Sequence, residues 1–356
     1  MSEAETPEVA EKSEPKLVMA GSRLFNSWLA QQKASLAFTT YQAGKVFFIG
    51  LKPDGGMSVF ERTFQRSMGL GKAENGDLWL ASLYQLWRFT NFLRPGEAKD
   101  GYDAVYVPIA GHTTGDIDVH DIHMDADGKP IFVATRFNCL ATISDEGSFK
   151  VLWKPPFIDR LAAEDRCHLN GFAMQDGKPK YATCVATTNL VDGWRDKRRD
   201  GGVVIDIDSG ETIADGLSMP HSPRLHDGDL WILQSGTGEF GKIDPATGEF
   251  EPICFLQGFA RGVTFMGDHA VIGVSRPREN RTFDGLALNE KLKKEDVEPI
   301  CALCVVNLKT GDIEHKLEIE GLVEELYDVV ALPGVIRPMA LGFKTDEIRF
   351  AVKPVE

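Results

Sequence analysis

The stretch "HSPRLHDGDLWILQSGTGEFGKIDPATGEFEPI", residues 221–253, decides the fold. Asp227-Gly228 parts "HSPRLH" from "DLWILQ", and an Asx-Gly step between two apolar or alternating runs is the strongest short-range hairpin signal. A second turn, "DPATGE", parts "GKI" from "FEPI". Two hairpins in so short a span make four strands and leave no room for a helix.

The unit recurs. "SMGLGKAENGDLWLAS" (67–82), "HDIHMDADGKPIFVAT" (120–135), "HLNGFAMQDGKPKYATC" (168–184) and "ARGVTFMGDHAVIGVS" (260–275) repeat the inner hairpin. "VVIDIDSGETI" (203–213) and "CVVNLKTGDIEHKL" (304–317) repeat the outer one. The turn glycines 76, 128, 177 and 228 are spaced by about fifty residues, with a shorter step to Gly267. Four strands per such period is the signature of a β-propeller, whereas a solenoid shows a shorter, stricter repeat. Inner strands are predicted to begin near residues 68, 120, 169, 221, 261 and 327. The last has few strands after it, while "SLAFTTYQ", "KVFFIGL" and "MSVFERTF" near the N-terminus lack an inner partner. Pairing these with the C-terminal strand closes the ring and removes its exposed edges. The expectation is an all-β propeller of six blades, with seven as the alternative. It runs as one domain over 36–356, carries an insertion at about 276–299, and follows an acidic disordered tail (1–20) and a short amphipathic segment (21–35).

Charge limits the partners. Lys plus Arg number 39 against 53 Asp plus Glu, a net charge of −14. That surplus disfavours nucleic acid and anionic membranes, whose binding rests on cationic neutralisation of phosphates. The most basic stretch, "DGWRDKRRDGG" (192–202), reads as a solvated loop of mixed charge. No apolar run approaches the ~20 residues of a membrane span, and "MSEAETPEVAEKSEPK" has no signal-peptide character. The six cysteines lack the density of a disulfide scaffold, so reduced thiols and a cytoplasmic location are expected. Cys301 and Cys304 lie in a strand pattern, where a spacing of three puts them on opposite faces. "SGTGEFG" (235–241) opens no helix, so no nucleotide cofactor is expected.

Histidines are the unusual feature. The chain has eight, and His120, His123, His168 and His221 all fall at the starts of predicted inner strands. In a propeller these starts gather at one mouth of the central channel. His120-Asp121-x-His123, His168-x-Asn170, His221-x-x-Arg224, Arg261 and Tyr327-Asp328 then form a polar ring. Imidazole is the commonest transition-metal ligand, so His120, His123, His168, Asn170 and His221 are the candidate metal ligands. The expected ion is divalent iron, zinc or manganese, with calcium less suited to nitrogen donors. His120, Asp121, Arg224 and Arg261 are the candidate catalytic residues, the two arginines orienting a small anionic substrate. Hydrolase, lyase and oxygenase chemistry all remain open, as does metal-free acid–base catalysis. The rival expectation is a non-enzymatic scaffold that meets a protein partner through 276–299.

"PHSPRLHDGDLWILQSGTGEFGKIDPATGEFE", "GFARGVTFMGDHAVIGVSRPREN" and "ELYDVVALPGVIRPMALGF" resemble a family of bacterial β-propeller proteins known only as conserved hypothetical, with a domain of unknown function. The resemblance runs from about residue 35 to near the end and implies a propeller. More loosely, "HLNGFAMQDGKP" is similar to the metal-binding segment of gluconolactonase and regucalcin-like propellers, which implies Asn170 as a ligand. The glutamate ligand of those proteins has no counterpart in "SMGLGKAENG". A His-rich ring is also shared, by analogy alone, with carotenoid-cleaving oxygenases.

Overall fold

Asp176-Gly177 and Asp227-Gly228 put both residues at positive φ (50° and 73°, 50° and 86°). That is the type I′ turn, whose twist matches its flanking strands and so returns the chain tightly along itself. Repetition of such reversals builds the molecule. The computed structural model describes residues 17–277 and 284–354.

Six antiparallel blades result. Blade 2 runs outward from the channel through Leu70–Lys72, Leu78–Ala81, Gln85–Asn91 and Ala104–Thr113. Blade 3 comprises Val119–Met124, Pro130–Ala134, Cys139–Thr142 and Lys150–Trp153. Blade 4 comprises Leu169–Gln175, Lys178–Cys184, Gly202–Asp206 and Thr212–Leu217. Blade 5 comprises Pro220–His226, Asp229–Gln234, Glu239–Ile243 and Phe250–Phe255. Blade 6 comprises Phe259–Met266, His269–Ser275, Ala302–Asn307 and Ile313–Glu320. Blade 1 is composite: its inner strand, Val329–Pro333, comes from the C-terminal region and pairs with Ala34–Thr40, followed by Lys45–Leu51 and Met57–Thr63. The inner strands touch in order round the ring, and the last touches the first. The predicted closure and the count of six both hold.

The chain ends add two straps that the sequence reading lacked. Val18–Gly21 pairs antiparallel with the outer strand of blade 6, so the stretch expected to be a tail ends as a strand; residues 1–16 of that tail lie outside the described residues. Pro338–Ala340 pairs parallel with the outer strand of blade 2. Both straps cover edges beside the composite blade, where closure is non-covalent.

Each blade junction holds its own apolar layer, from Leu36, Phe38, Phe47, Val271 and Leu303 between blades 1 and 6 to Ala173, Val204, Leu230 and Ile232 between blades 4 and 5. Cys301 belongs to the first of these layers and Cys304 to the layer between blades 5 and 6, on opposite faces as the spacing predicts. The amphipathic segment forms helix α1 (Phe25–Gln32), which buries Phe25, Trp28 and Leu29 against blades 1 and 6. The insertion holds helix α2 (Ala287–Lys294). Its apolar side is anchored on the propeller, with Leu286, Leu288 and Leu292 packed on Trp194, Met219 and Phe259.

Candidate functional site

One repeated hydrogen bond positions the site. At four of the six junctions a hydroxyl at or just after the end of a blade's second strand reaches the next inner strand. Thr39 Oγ1 donates to Met68 O at 2.5 Å, Thr135 to Leu169 O at 2.8 Å, Ser235 to Ala260 O at 2.6 Å and Ser275 to Leu326 O at 3.1 Å. At the other two junctions the equivalent carbonyls, Val119 O and Pro220 O, accept from Gly69 N and Asn170 Nδ2. The residue after each carbonyl therefore occupies one shared position per blade. Those six residues are Gly69, His120, Asn170, His221, Arg261 and Tyr327. Asn170, rather than His168, is blade 4's true member of the ring; His168 stands two residues earlier.

The hydroxyls also set the state of two histidines. His120 Nδ1 lies 3.0 Å from Asp118 O and 2.8 Å from Thr135 Oγ1. His221 Nδ1 lies 2.8 Å from Met219 O and 3.0 Å from Ser235 Oγ. The carbonyls can only accept, and each hydroxyl has already donated its hydrogen to the next blade. Nδ1 must therefore carry the proton, which leaves Nε2 a bare lone pair in the neutral ring. Burial keeps both rings neutral: it lowers His120 to about 4, assisted by the positive influence of His168 and Arg261, and holds His221 well below its usual value with Arg261 as the next cause.

His168 is arranged differently. Its Nδ1 lies 2.9 Å from Asp165 Oδ2, which also accepts from Trp194 Nε1 at 3.0 Å. Burial pushes the Asp165 carboxyl up, but His168 outweighs this and the carboxyl sits below its usual range. Trp194 stacks on the His168 ring at 4.1 Å. The stretch expected to be a solvated basic loop thus supplies one wall of the mouth. His168 and Met219 adopt left-handed φ of 50° and 46°, strain of the kind concentrated at functional sites.

The ring groups converge. His120 lies 4.9 Å from His168 and 5.5 Å from Tyr327, ring centre to ring centre, and Arg261 lies over the Tyr327 ring at 5.0 Å. Arg261 Nη1 donates to Glu325 Oε1 at 2.6 Å, a buried pair. Because Pro220 O can only accept, the Asn170 amide nitrogen faces it and Oδ1 faces away. Asn170 Oδ1, His221 Nε2, Arg261 Nε and Tyr327 Oη are all buried without a hydrogen-bond partner.

Asp121, His123 and Arg224 fall elsewhere. Three residues along a strand carry His123 about 10 Å beyond His120. Arg224 grips Asp121 with two bonds of 2.8 and 2.9 Å, and His123 Nε2 lies 3.4 Å from the same carboxylate. Burial raises the Asp121 carboxyl, but Arg224 and His123 more than offset that and hold it far below its usual range. Asp328, beside this pair, is pushed up to about 7 by burial and by Asp121. His123, Arg224 and Asp328, with Leu70, Thr264 and Phe265, line a separate cavity of about 240 Å³. Arg224 pairs with Asp121 and Arg261 with Glu325, each of the two predicted arginines on its own buried carboxylate.

A metal fits this arrangement only in part. Among the described residues no three His, Cys, Asp or Glu side chains are grouped to hold an ion. The competent donors are the bare Nε2 atoms of His120 and His221 with Asn170 Oδ1, and Arg261 sets a positive charge beside them. Asp165, Trp194, Thr135, Ser235 and Glu325 were not singled out in the sequence reading. Only the hydroxyls left a signal there, as a Ser or Thr closing the second strand in several repeats.

Among solved structures the chain is similar to a chain of the nidogen/laminin complex, at TM-score 0.52 and 12% identity over 85% of this chain and 99% of that one. It is also similar to a protein of unknown function from Bacteroides caccae, at TM-score 0.50 and 9% identity over 84% and 98%. Virginiamycin B lyase from Staphylococcus aureus follows at TM-score 0.41 and 14% identity over 86% and 100%. At these identities the first two likenesses bear on the fold alone. No curated protein matches the sequence. No helix among the described residues is long and apolar enough to cross a membrane. The model of a domain of unknown function, DUF4915, matches residues 23–341, and the chain belongs to that family.

Proposed function

We propose that the chain is an enzyme acting on a small anionic molecule at the histidine mouth, with His120 and His221 as proton-accepting bases. The observation that carries this reading is their shared state: two buried neutral rings, each with Nδ1 held by a carbonyl and a hydroxyl, with His221 Nε2 buried and unpartnered. Leaving His221 Nε2 buried without a partner costs about 1–3 kcal/mol unless a ligand meets it. Arg261 and the protonated Tyr327 hydroxyl, on the next two blades, are placed to receive negative charge as it develops. His168, fixed by Asp165, is the third proton-transfer group.

A second reading rests on the same nitrogens. Nδ1–H held by an oxygen is how metal-binding histidines are oriented, and His120, His221 and Asn170 Oδ1 would hold the divalent ion expected from the sequence. Bound there, the ion would supply a Lewis acid; the neighbouring Arg261 charge weighs against it.

The test is to incubate the untagged protein with a small-acid metabolite extract and follow the acids by mass spectrometry, beside a His120→Ala, His221→Ala double variant. Consumption of a species by the wild type alone supports the enzyme. Identical profiles from both folded proteins would overturn it. Elemental analysis of the same samples decides the second reading: near-stoichiometric metal lost in the double variant favours it, and metal-free turnover removes it.

A further inference from the structure

The four unpartnered atoms of the mouth describe the ligand's own hydrogen-bonding groups. Buried polar atoms in native proteins are satisfied, so a cluster of orphans at one site marks where a partner belongs. The orphans fall into two arcs. On blades 4 and 5, Asn170 Oδ1 and His221 Nε2 are acceptors, and His120 Nε2 on blade 3 extends that arc. On blades 6 and 1, Arg261 Nε and Tyr327 Oη are donors. The arcs meet where His120 lies 5.5 Å from Tyr327, so a single small molecule spans both.

Resting on the acid–base reading above, we infer that the ligand is a small hydroxycarboxylic acid, its carboxylate on Arg261 and Tyr327 and its hydroxyl groups each donating to one acceptor of the Asn170, His221 and His120 arc. An amino group would also donate, but an ammonium on this arc would meet the Asn170 amide oxygen and imidazole nitrogens, neutral acceptors that supply no counter-charge. A neutral hydroxyl carries no such cost. The hydroxyl proton then faces a bare imidazole nitrogen, the hydrogen bond that a neutral ring accepts.

Isothermal titration calorimetry of the full chain tests this with glycerate and lactate against propionate, methyl lactate and alanine. The expected result is that glycerate and lactate bind at least tenfold more tightly than propionate, which lacks the hydroxyl, and than methyl lactate, which lacks the charge. Tyr327→Phe, which removes one donor and no packing, is expected to weaken lactate several-fold at unchanged Tm. Propionate binding as tightly as lactate would overturn the inference while leaving the bases untouched. Alanine binding more tightly than lactate, or no acid binding at millimolar concentration, would also overturn it. A hydroxy acid that binds as expected but is never turned over would uphold the inference and remove the enzyme.

Discussion

Thr135 and Ser235 each do two things with one hydroxyl. They tie one blade to the next by donating to Leu169 O and Ala260 O, and they accept from a histidine Nδ1. Thr135→Val keeps the shape and removes both roles. The expected cost is about 1–3 kcal/mol, for an orphaned buried carbonyl, measured by urea denaturation. Nitrogen-15 NMR should show His120 keeping its Nδ1–H tautomer on Asp118 O in that variant, with the Nδ1 resonance shifted by loss of the hydroxyl. The same ring gives the fold an acid sensitivity of definite sign. His120 titrates at about 4 in the folded chain and near its ordinary 6.5 unfolded, so its neutral form is favoured by folding. Its contribution is complete above pH 6.5 and is lost as pH falls from 6.5 to about 4. By linkage that loss approaches about 3 kcal/mol. His120→Gln should flatten this part of the stability–pH curve; an unchanged slope would mean the ring is solvated in the folded state.

At the scale of elements, the straps carry the closure. Asp103 accepts Ile336 N at 2.7 Å and Arg337 N at 2.8 Å, and Leu51 N donates to Ile336 O at 2.9 Å, so the C-terminal strap is tied to blades 1 and 2 together. Gly50 allows this approach: a Cβ there would lie 2.2 Å from Ile336 O. Gly50→Ala should therefore push the strap off blade 1 at a cost of about 1–3 kcal/mol, with early hydrogen-exchange loss at Met339 and Ala340. A drop in Tm without that local opening would assign the effect to the strand instead. The insertion shows why element type was harder to read than element position. Helix α2 and its cap carry leucines at 286, 288 and 292 among charged residues, a pattern that looks exposed until Trp194 from blade 4 and Phe259 from the inner strand of blade 6 cover it.

For the whole molecule the decisive event is closure of the ring by Val329–Pro333 on Ala34–Thr40. A chain ending at Asp328 lacks that inner strand, uncovers the layers on either side of blade 1, and should lose cooperative unfolding by circular dichroism. Retained cooperativity would mean five complete blades suffice. Much of this architecture was legible in the sequence. The Asx-Gly turns, their spacing of about fifty residues and the partnerless N-terminal strands carry the blades, their number and their closure, because hairpin chemistry and strand period are local properties of the chain. The crowding of His120, His168 and His221 at strand starts likewise marked the mouth. What the sequence could not decide was which neighbours those side chains would have. Arg261 takes the ring position that His221 holds in blade 5, Arg224 lies three residues beyond it, and each meets its own buried carboxylate, Glu325 for one and Asp121 from blade 3 for the other. Trp194 reached His168 from a loop that reads as solvated. Each of these pairings joins residues on different strands or loops, and their energies depend on burial and on distances of a few ångströms. Spacing along one strand determines which end of the channel a side chain approaches; only the packed ring determines which partner it finds there.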